Sequence, residues 1–456
     1  MSHISKKNDE RSKSKIGPVI VVGAGMAGLS AARMLKDRGL EVIVLEGRNR
    51  IGGRTNTISI NGALVDEGGA WIDGVAQNPL YELAKEAGFR LREMNYVDPW
   101  RFHVYDGVKS RWFGRVTSVW ELLKSQLIAS KLYSGSQKSN ATELSYADHI
   151  SQRLTTGERS DARHRLQRFL LRMVAELGSG ESAEHMPHDT YAFSDDYRGG
   201  ESMISGGYGK LVALFSEGLD IRLEERVNAI SYDESGVKVF ANGFEHRATH
   251  VIVTVPLGVL KANHIKFQPA LPRSKQEAID SLALGYLEKL VMSFSEPFWR
   301  KNLEQKQNFF YVSSTLGEFP AFFDITDMAG KPTLAALVAG QESRKMTENP
   351  AAAIARAQTI LSEMFAERYQ SPVDTYVTNW RLDEFTLGGY SMIGFESKIE
   401  HFDMLAEPIG GRLCFAGEAT SKQQYGYVHG AMESGFREAH RILYGNINFR
   451  FPTKLQ

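Results

Sequence analysis

An α/β fold is predicted for this 456-residue chain by three observations within its first fifty residues. Val19 to Val22 is a short apolar run of the length and composition of a fully buried parallel strand. Gly23, Gly25 and Gly28 follow at G-x-G-x-x-G spacing, and Leu29 to Lys36 carry the Ala and Leu content of a helix that Gly39 closes. Glu41 to Leu45 then read as a second strand, ended by Glu46. Strand, glycine turn, helix, strand and acid in this order form a Rossmann-like dinucleotide-binding unit. Gly23 permits the tight turn, Gly25 lets the backbone approach a pyrophosphate, and Gly28 lets helix and strand pack closely. The helix N-terminus offers unpaired N–H groups to the phosphates, and Met26 and Ala27 in the turn are cofactor-binding candidates with it. Glu46 is the acceptor for ribose hydroxyls.

Length allows two or three domain-sized units with large cores. Lys plus Arg and Asp plus Glu both number 54, so a zero net charge gives no sign of nucleic acid or of an anionic surface as partner. The one cysteine, Cys414, excludes an internal disulfide and a cysteine-rich metal site and suits a reducing compartment. His185 and His188 lack metal-ligand spacing, so no metal is expected. Ser2 to Lys15 are polar and charged and read as a disordered tail, and Phe449 to Gln456 are too short and mixed to anchor a membrane. No window holds the roughly 18 apolar residues of a membrane span. A cytoplasmic protein is the expectation.

After Glu46 the loop Gly47 to Thr55 places Gly52 and Gly53 between arginines, including Arg48 and Arg54. Glycine lets amides approach a phosphate-bearing ligand and arginine pairs with it bidentately; a solvated basic turn is the alternative. The runs GAGMAGLSAARML and LEGRNRIGGRTNT resemble the flavin-dependent amine oxidase family, which includes monoamine oxidases, polyamine oxidases and flavin amino-acid oxidases. Where that family has alanine and arginine after the acid, this chain has Gly47 and Arg48. The resemblance extends from Val19 to Leu443, is closest in motifs to the polyamine oxidases, and implies FAD as cofactor. It also implies a discontinuous organisation. An FAD-binding domain would comprise residues 17–95, 198–270 and 409–446. An α+β substrate-binding domain would comprise 96–197 and 271–408, with tails at 1–16 and 447–456.

The resemblance assigns the remaining residues in chain order. Gly68 and Gly69, with Ala70 and Trp71, would run beside the flavin ring. Asp73 matches an acid that lines the substrate tunnel in some polyamine oxidases; a helix cap or turn before Asn78-Pro79 is the plainer reading. From Tyr96 to Asp195 the chain reads as amphipathic helices, at Val116 to Tyr133, Tyr146 to Leu154 and Ala162 to Ala175. Glu176, after the third, either faces a cationic substrate or is an ordinary helix-end carboxylate. Val227 would place its backbone on the adenine. Lys289, in a run that otherwise reads as a buried strand, matches a lysine bonded through water to the flavin N5. Trp380 and Tyr390 belong to a tryptophan and glycine–aromatic–serine pattern at the flavin. The residue before the aromatic is Gly389 rather than the cysteine that carries FAD in monoamine oxidases, so noncovalent FAD is expected. Gly417 and Glu418 would meet the ribityl chain. Tyr427 and Val428 start a helix whose dipole faces the flavin N1–C2=O edge.

Tyr390 and Tyr427 match the two aromatics over the flavin's reactive face, where ring quadrupoles and an apolar slot receive an amine nitrogen. The implied reaction is C–N oxidation by hydride transfer to N5, with O2 as acceptor and hydrogen peroxide as product. Lys289, Tyr390 and Tyr427 are the catalytic candidates. Asp73 and Glu176, with the two tyrosines, are the substrate-binding candidates for a polyamine or another primary or secondary amine. An L-amino-acid oxidase, with Arg101 or Arg172 on the carboxylate, is the alternative. From another class, a flavoprotein serving binding or scaffolding remains open, and the oligomeric state is not specified.

Overall fold

A computed structural model describes residues 17–94, 102–136, 144–154, 162–190, 197–300 and 307–447. Both expected tails lie outside these residues, apart from 447. The apolar runs of the sequence assemble into a five-stranded parallel sheet in the order Leu413–Phe415, His250–Val253, Val19–Val22, Val42–Leu45 and Asp220–Arg222. A parallel sheet is covered on both faces, so its strands need apolar residues throughout. VIVV and LCF are accordingly buried at every position.

The first helix spans Met26–Asp37 and begins before the expected Leu29, because the glycine turn enters it directly with Gly25 as N-cap. A Cβ on Gly28 would lie 1.9 Å from the Gly23 carbonyl oxygen, so only glycine lets this helix sit so close to its strand. The helix packs against Val428–Tyr444, whose Met432, Phe436, Ala439 and Leu443 recur at helical spacing and are buried. Ser30 Oγ donates to the Met432 carbonyl at 3.0 Å. A Cβ on Gly435 would meet the Ala27 carbonyl at 2.1 Å. Both helices therefore start on the same side of the sheet, beyond the carboxyl ends of its strands.

A second, seven-stranded sheet runs Asp374–Val377, Leu287–Ser293, Thr333–Ala339, Ala321–Asp324, Asn308–Val312, Phe102–Asp106 and Arg111–Trp112. The last two strands correct the all-helical reading of Tyr96 to Asp195. Phe102–Asp106 is too short to show a period, and its parallel partner Asn308–Val312 is some two hundred residues away in sequence. The helices of that region do form, as Arg115–Ser136, Tyr146–Arg153 and Ala162–Ser179. A smaller sheet joins the antiparallel strands Val227–Asp233, Gly236–Ala241 and Phe244–Ala248 to Lys266–Gln268.

Candidate active site

One long cavity runs from the glycine turn to the seven-stranded sheet. Its near end is bordered by Gly23, Gly25, Met26 and Ala27 from the turn, Glu46, Arg48 and Gly53 from the next strand and loop, and Val227. Its far end is bordered by Gly69, Ala70, Trp71, Asp73, Lys289, Trp380, Tyr390, Tyr427 and Val428, with Arg54, Gly417 and Glu418 between. Among the described residues, every cofactor, catalytic and amine-binding candidate lies on this wall except Gly28 and Glu176. Gly28 sits behind the turn, where its missing side chain serves packing.

At the near end Gly23 has φ +105°, a conformation open to glycine. A Cβ on Gly25 would meet no protein atom within 4 Å, so the turn leaves open the space that any side chain would take. The Met26–Asp37 helix has no side-chain cap there, which leaves its first N–H groups to the cavity. Glu46 Oε2 accepts from Ala24 N at 2.7 Å and Oε1 from Arg48 N at 2.9 Å, which fixes the carboxylate at the end of its strand. Glu225 borders the same end, and its buried Oε2 has no hydrogen-bond partner among the described residues. Arg48 borders this end; its guanidinium forks onto Asp383 and lies 4.9 Å from the Phe385 ring centroid, which fixes the side chain.

At the far end Lys289 is buried on the Leu287–Ser293 strand. Its Nζ donates to the carbonyls of Asp66, at 2.9 Å, and Gly68, and lies 4.9 Å from the Trp71 ring centroid. An ammonium has three donors, so one remains for water or ligand. Desolvation lowers its pKa from 10.5 to about 8, against the opposing pull of Asp66, Glu67 and Glu288. Burial likewise raises the Asp66 pKa to about 6, despite bonds from Thr57 and Tyr208. Tyr390 donates from its hydroxyl to the Leu177 carbonyl at 3.2 Å. Burial, then Asp73 and Glu418, push its pKa up, so the phenol stays protonated. A Cβ on Gly426 would be 3.4 Å from Tyr390 Cδ2, so the turn before Tyr427 lies against the Tyr390 ring, and both tyrosines border the cavity. Tyr427 is the N-cap residue of Val428–Tyr444 and gives no side-chain cap bond, so this second helix also opens its N-terminus to the cavity. Glu418 is a hub. It accepts from Arg54 Nη1 at 2.9 Å, Gly426 N at 2.8 Å, and the Ser391 hydroxyl and amide.

The two acids offered for the substrate part company. Asp73 is not a helix cap, since Asn78 Oδ1 accepts from Leu80 N at 2.9 Å and caps the helix Pro79–Glu86. Asp73 instead borders the cavity and acts on Tyr390 through its charge. Glu176 does not reach the cavity. It is buried against Arg172 at 2.5 Å and accepts from Ala183 N at 3.0 Å. Arg172 in turn binds Glu184, so its charge is already matched. Arg101 lies outside the described residues.

Sequence reasoning missed Glu288 and Thr254. Glu288, on the opposite face of the strand from Lys289, accepts from Thr378 Oγ1 at 2.6 Å, Trp380 N at 2.8 Å and Arg381 N at 3.2 Å, and so holds the Trp380 turn. An acid inside an apolar strand was the available signal. Burial raises its pKa to about 7. Thr254 Oγ1 donates to the Val22 and Gly23 carbonyls at 2.8 and 3.2 Å and locks the glycine turn. Its signal was its place just past the carboxyl end of a parallel strand.

The residues fit FAD. Two uncapped helix N-termini face one cavity, one at a glycine turn with open space and the other at the aromatic end. Cys414, the only cysteine, is buried in its strand away from the cavity wall, so the flavin is held without a cysteinyl link. Fold and site thus define an FAD-binding α/β protein with a second sheet closing the cavity's far end. Residues 26–443 match the family described as flavin containing amine oxidoreductase. The chain is 34% identical over 454 residues to lysine-specific histone demethylase 1 homolog 2 of Arabidopsis thaliana, covering 94% of this chain and 58% of that protein. It is 32% identical over 445 residues to polyamine oxidase 3 of Oryza sativa subsp. japonica, covering 94% and 90%. Its fold is similar to that of putrescine oxidase bound to putrescine, with TM-score 0.76, 24% identity and coverage of 94% and 99%. The chain belongs to the flavin-containing amine oxidoreductase family. It spans between half and three-fifths of the length of the histone demethylase homologues it matches.

Proposed function

We propose that this protein oxidises a C–N bond of a polyamine or related primary or secondary amine. The amine becomes an imine, which water hydrolyses to a carbonyl compound and an amine, while O2 becomes hydrogen peroxide. FAD supplies the two-electron acceptor. The observation that carries a cationic substrate is Asp73, an acid on the cavity wall within electrostatic reach of Tyr390. A carboxylate there attracts a second, remote ammonium. Tyr390 and Tyr427 offer ring faces to the reacting nitrogen, and the apolar surround disfavours its protonated form. Lys289 holds or releases a proton at Nζ, with its remaining donor available to an ordered water.

Pairing of Arg172 with Glu176 and Glu184 speaks against an L-amino-acid oxidase that would use Arg172 for the substrate carboxylate. A second reading, an N-methylated lysine side chain in a peptide, is favoured by the likeness to relatives named as lysine-specific histone demethylase homologues. A peroxide-release screen of the holoenzyme with spermine, spermidine, putrescine, monoamines, L-amino acids and a methyl-lysine peptide tests the proposal. Turnover is expected with di- and polyamines. Turnover confined to amino acids or to the peptide would refute that substrate class, and silence throughout would favour a binding or scaffolding flavoprotein.

A further inference from the structure

His429 lies just behind the cavity wall, in the first turn of Val428–Tyr444, and is buried. Its ring stacks on Tyr427 with centroids 4.8 Å apart and planes 15° from parallel, while Tyr197 meets it edge-on at 5.2 Å. Nε2 is 2.7 Å from Gln424 Oε1, and Nδ1 is 3.4 Å from Asn78 Nδ2. An amide oxygen can only accept and an amide NH2 can only donate. The two neighbours therefore select one form of the ring, protonated at Nε2 and bare at Nδ1. The same Asn78 Nδ2 donates to the Asp73 carbonyl at 2.9 Å. One imidazole thus touches the Tyr427 ring on its face and, through one amide, the backbone of the cavity's acid.

We propose that His429 is a positioning residue that fixes the plane of Tyr427 and its separation from Asp73, so that a diamine finds both its reacting nitrogen and its remote ammonium seated together. Burial drives the imidazole pKa down to about 4, so at neutral pH the ring is uncharged and acts by shape and hydrogen bonds. The kinetic part of this inference rests on the amine-oxidase reading of the cavity; the state of the ring does not.

The test compares wild-type holoenzyme with His429→Phe, which keeps a stacked ring but loses both polar ties, and Gln424→Leu, which keeps the imidazole but loses its acceptor. For a linear diamine, kcat/KM is expected to fall about tenfold in either variant, carried mainly by KM, while a monoamine loses less than about threefold. A residue serving stability alone would lower both substrates together, and that outcome, or no change, overturns the proposal. Gln424→Leu decides the question if His429→Phe does not fold. Histidine-selective 15N NMR of the holoenzyme provides a readout free of turnover. One neutral, Nε2-protonated ring, absent from His429→Phe, should hold its shifts from pH 5.5 to 8.5, and titration within that range overturns the proposal. Wild-type inactivity on every amine with the neutral ring present would sink the substrate reading and leave the ring's assignment standing.

Discussion

The near end of the cavity is made of backbone, and the far end is made of side chains. At the near end Gly23, Gly25 and Gly28 come from one turn, and the groups presented are amides, a helix N-terminus and the carboxylates of Glu46 and Glu225. At the far end Lys289, Trp380, Tyr390, Tyr427 and Asp73 arrive from separate elements, and Lys289, Trp380 and Tyr390 are each held by a different partner. A backbone site depends on the absence of atoms, so adding one methyl group is its most damaging change. A side-chain site depends on burial and charge, so its sensitive changes remove a functional group and leave the fold intact.

The largest effect should come from two alanines within the same turn. Gly28→Ala places a Cβ 1.9 Å from a backbone oxygen that cannot yield, so it should abolish the folded holoprotein. Gly25→Ala meets no protein atom within 4 Å. It should leave the circular dichroism melt of the flavin-free chain unchanged and weaken flavin binding by about tenfold or more, read by absorbance titration. If both variants fold and bind alike, the near end is not a backbone cradle.

At the far end Lys289→Met should retain flavin and slow turnover on the order of a hundredfold, the lower range for a lost proton-transfer group. The wild-type kcat/KM profile should bend near pH 8, where Lys289 titrates, and the variant measured with the same amine should lack that bend. The stability sign follows from the same shift. The folded pKa of about 8 lies below the ordinary 10.5, so between these values the unfolded chain binds more protons. The penalty for the buried charge is complete below pH 8 and fades as pH rises to 10.5. Lys289→Met should remove that rise in stability, measured by urea unfolding at pH 8 and 10. Asp73→Asn should act more weakly still. It should lower kcat/KM for a diamine about tenfold, the worth of one charge-assisted contact, and leave a small monoamine nearly unchanged. An equal fall for both amines would remove Asp73 from recognition of the second charge.

What could be read in the sequence follows the same division. The turn, its helix and its two strands are contiguous, and each glycine has a local steric reason, so pattern and physics agree before any folding is considered. Lys289 and Glu288 were both visible as charges in an apolar strand, yet period-two alternation says only that they face opposite ways. Which one meets the cavity depends on the neighbouring sheet and on the 378–381 segment. Resemblance to the family supplied Lys289 and left Glu288 unnoticed. The strand Phe102–Asp106 escaped because its partner Asn308–Val312 is remote in sequence. Glu176 was assigned from the resemblance with an ordinary carboxylate as the alternative, and charged side chains serve structural pairing as readily as ligands: Arg172 claims it in the folded chain.

Glu176 gives the sharpest contrast with Asp73, because both acids were candidates for the same cationic substrate. Glu176 is buried off the cavity, and burial raises its pKa despite Arg172. Removing one partner of a buried pair leaves the other poorly compensated, at a typical cost of about 3–5 kcal/mol. Arg172 keeps Glu184, so Glu176→Ala should cost about 3 kcal/mol in urea unfolding, at the lower end of that range. Its kcat/KM for every amine should remain within about twofold of wild type under conditions where the variant is folded, the scale of effect for a site that is not in contact. A diamine-selective fall in kcat/KM without loss of stability would return Glu176 to the substrate path and erase the distinction drawn between the two acids.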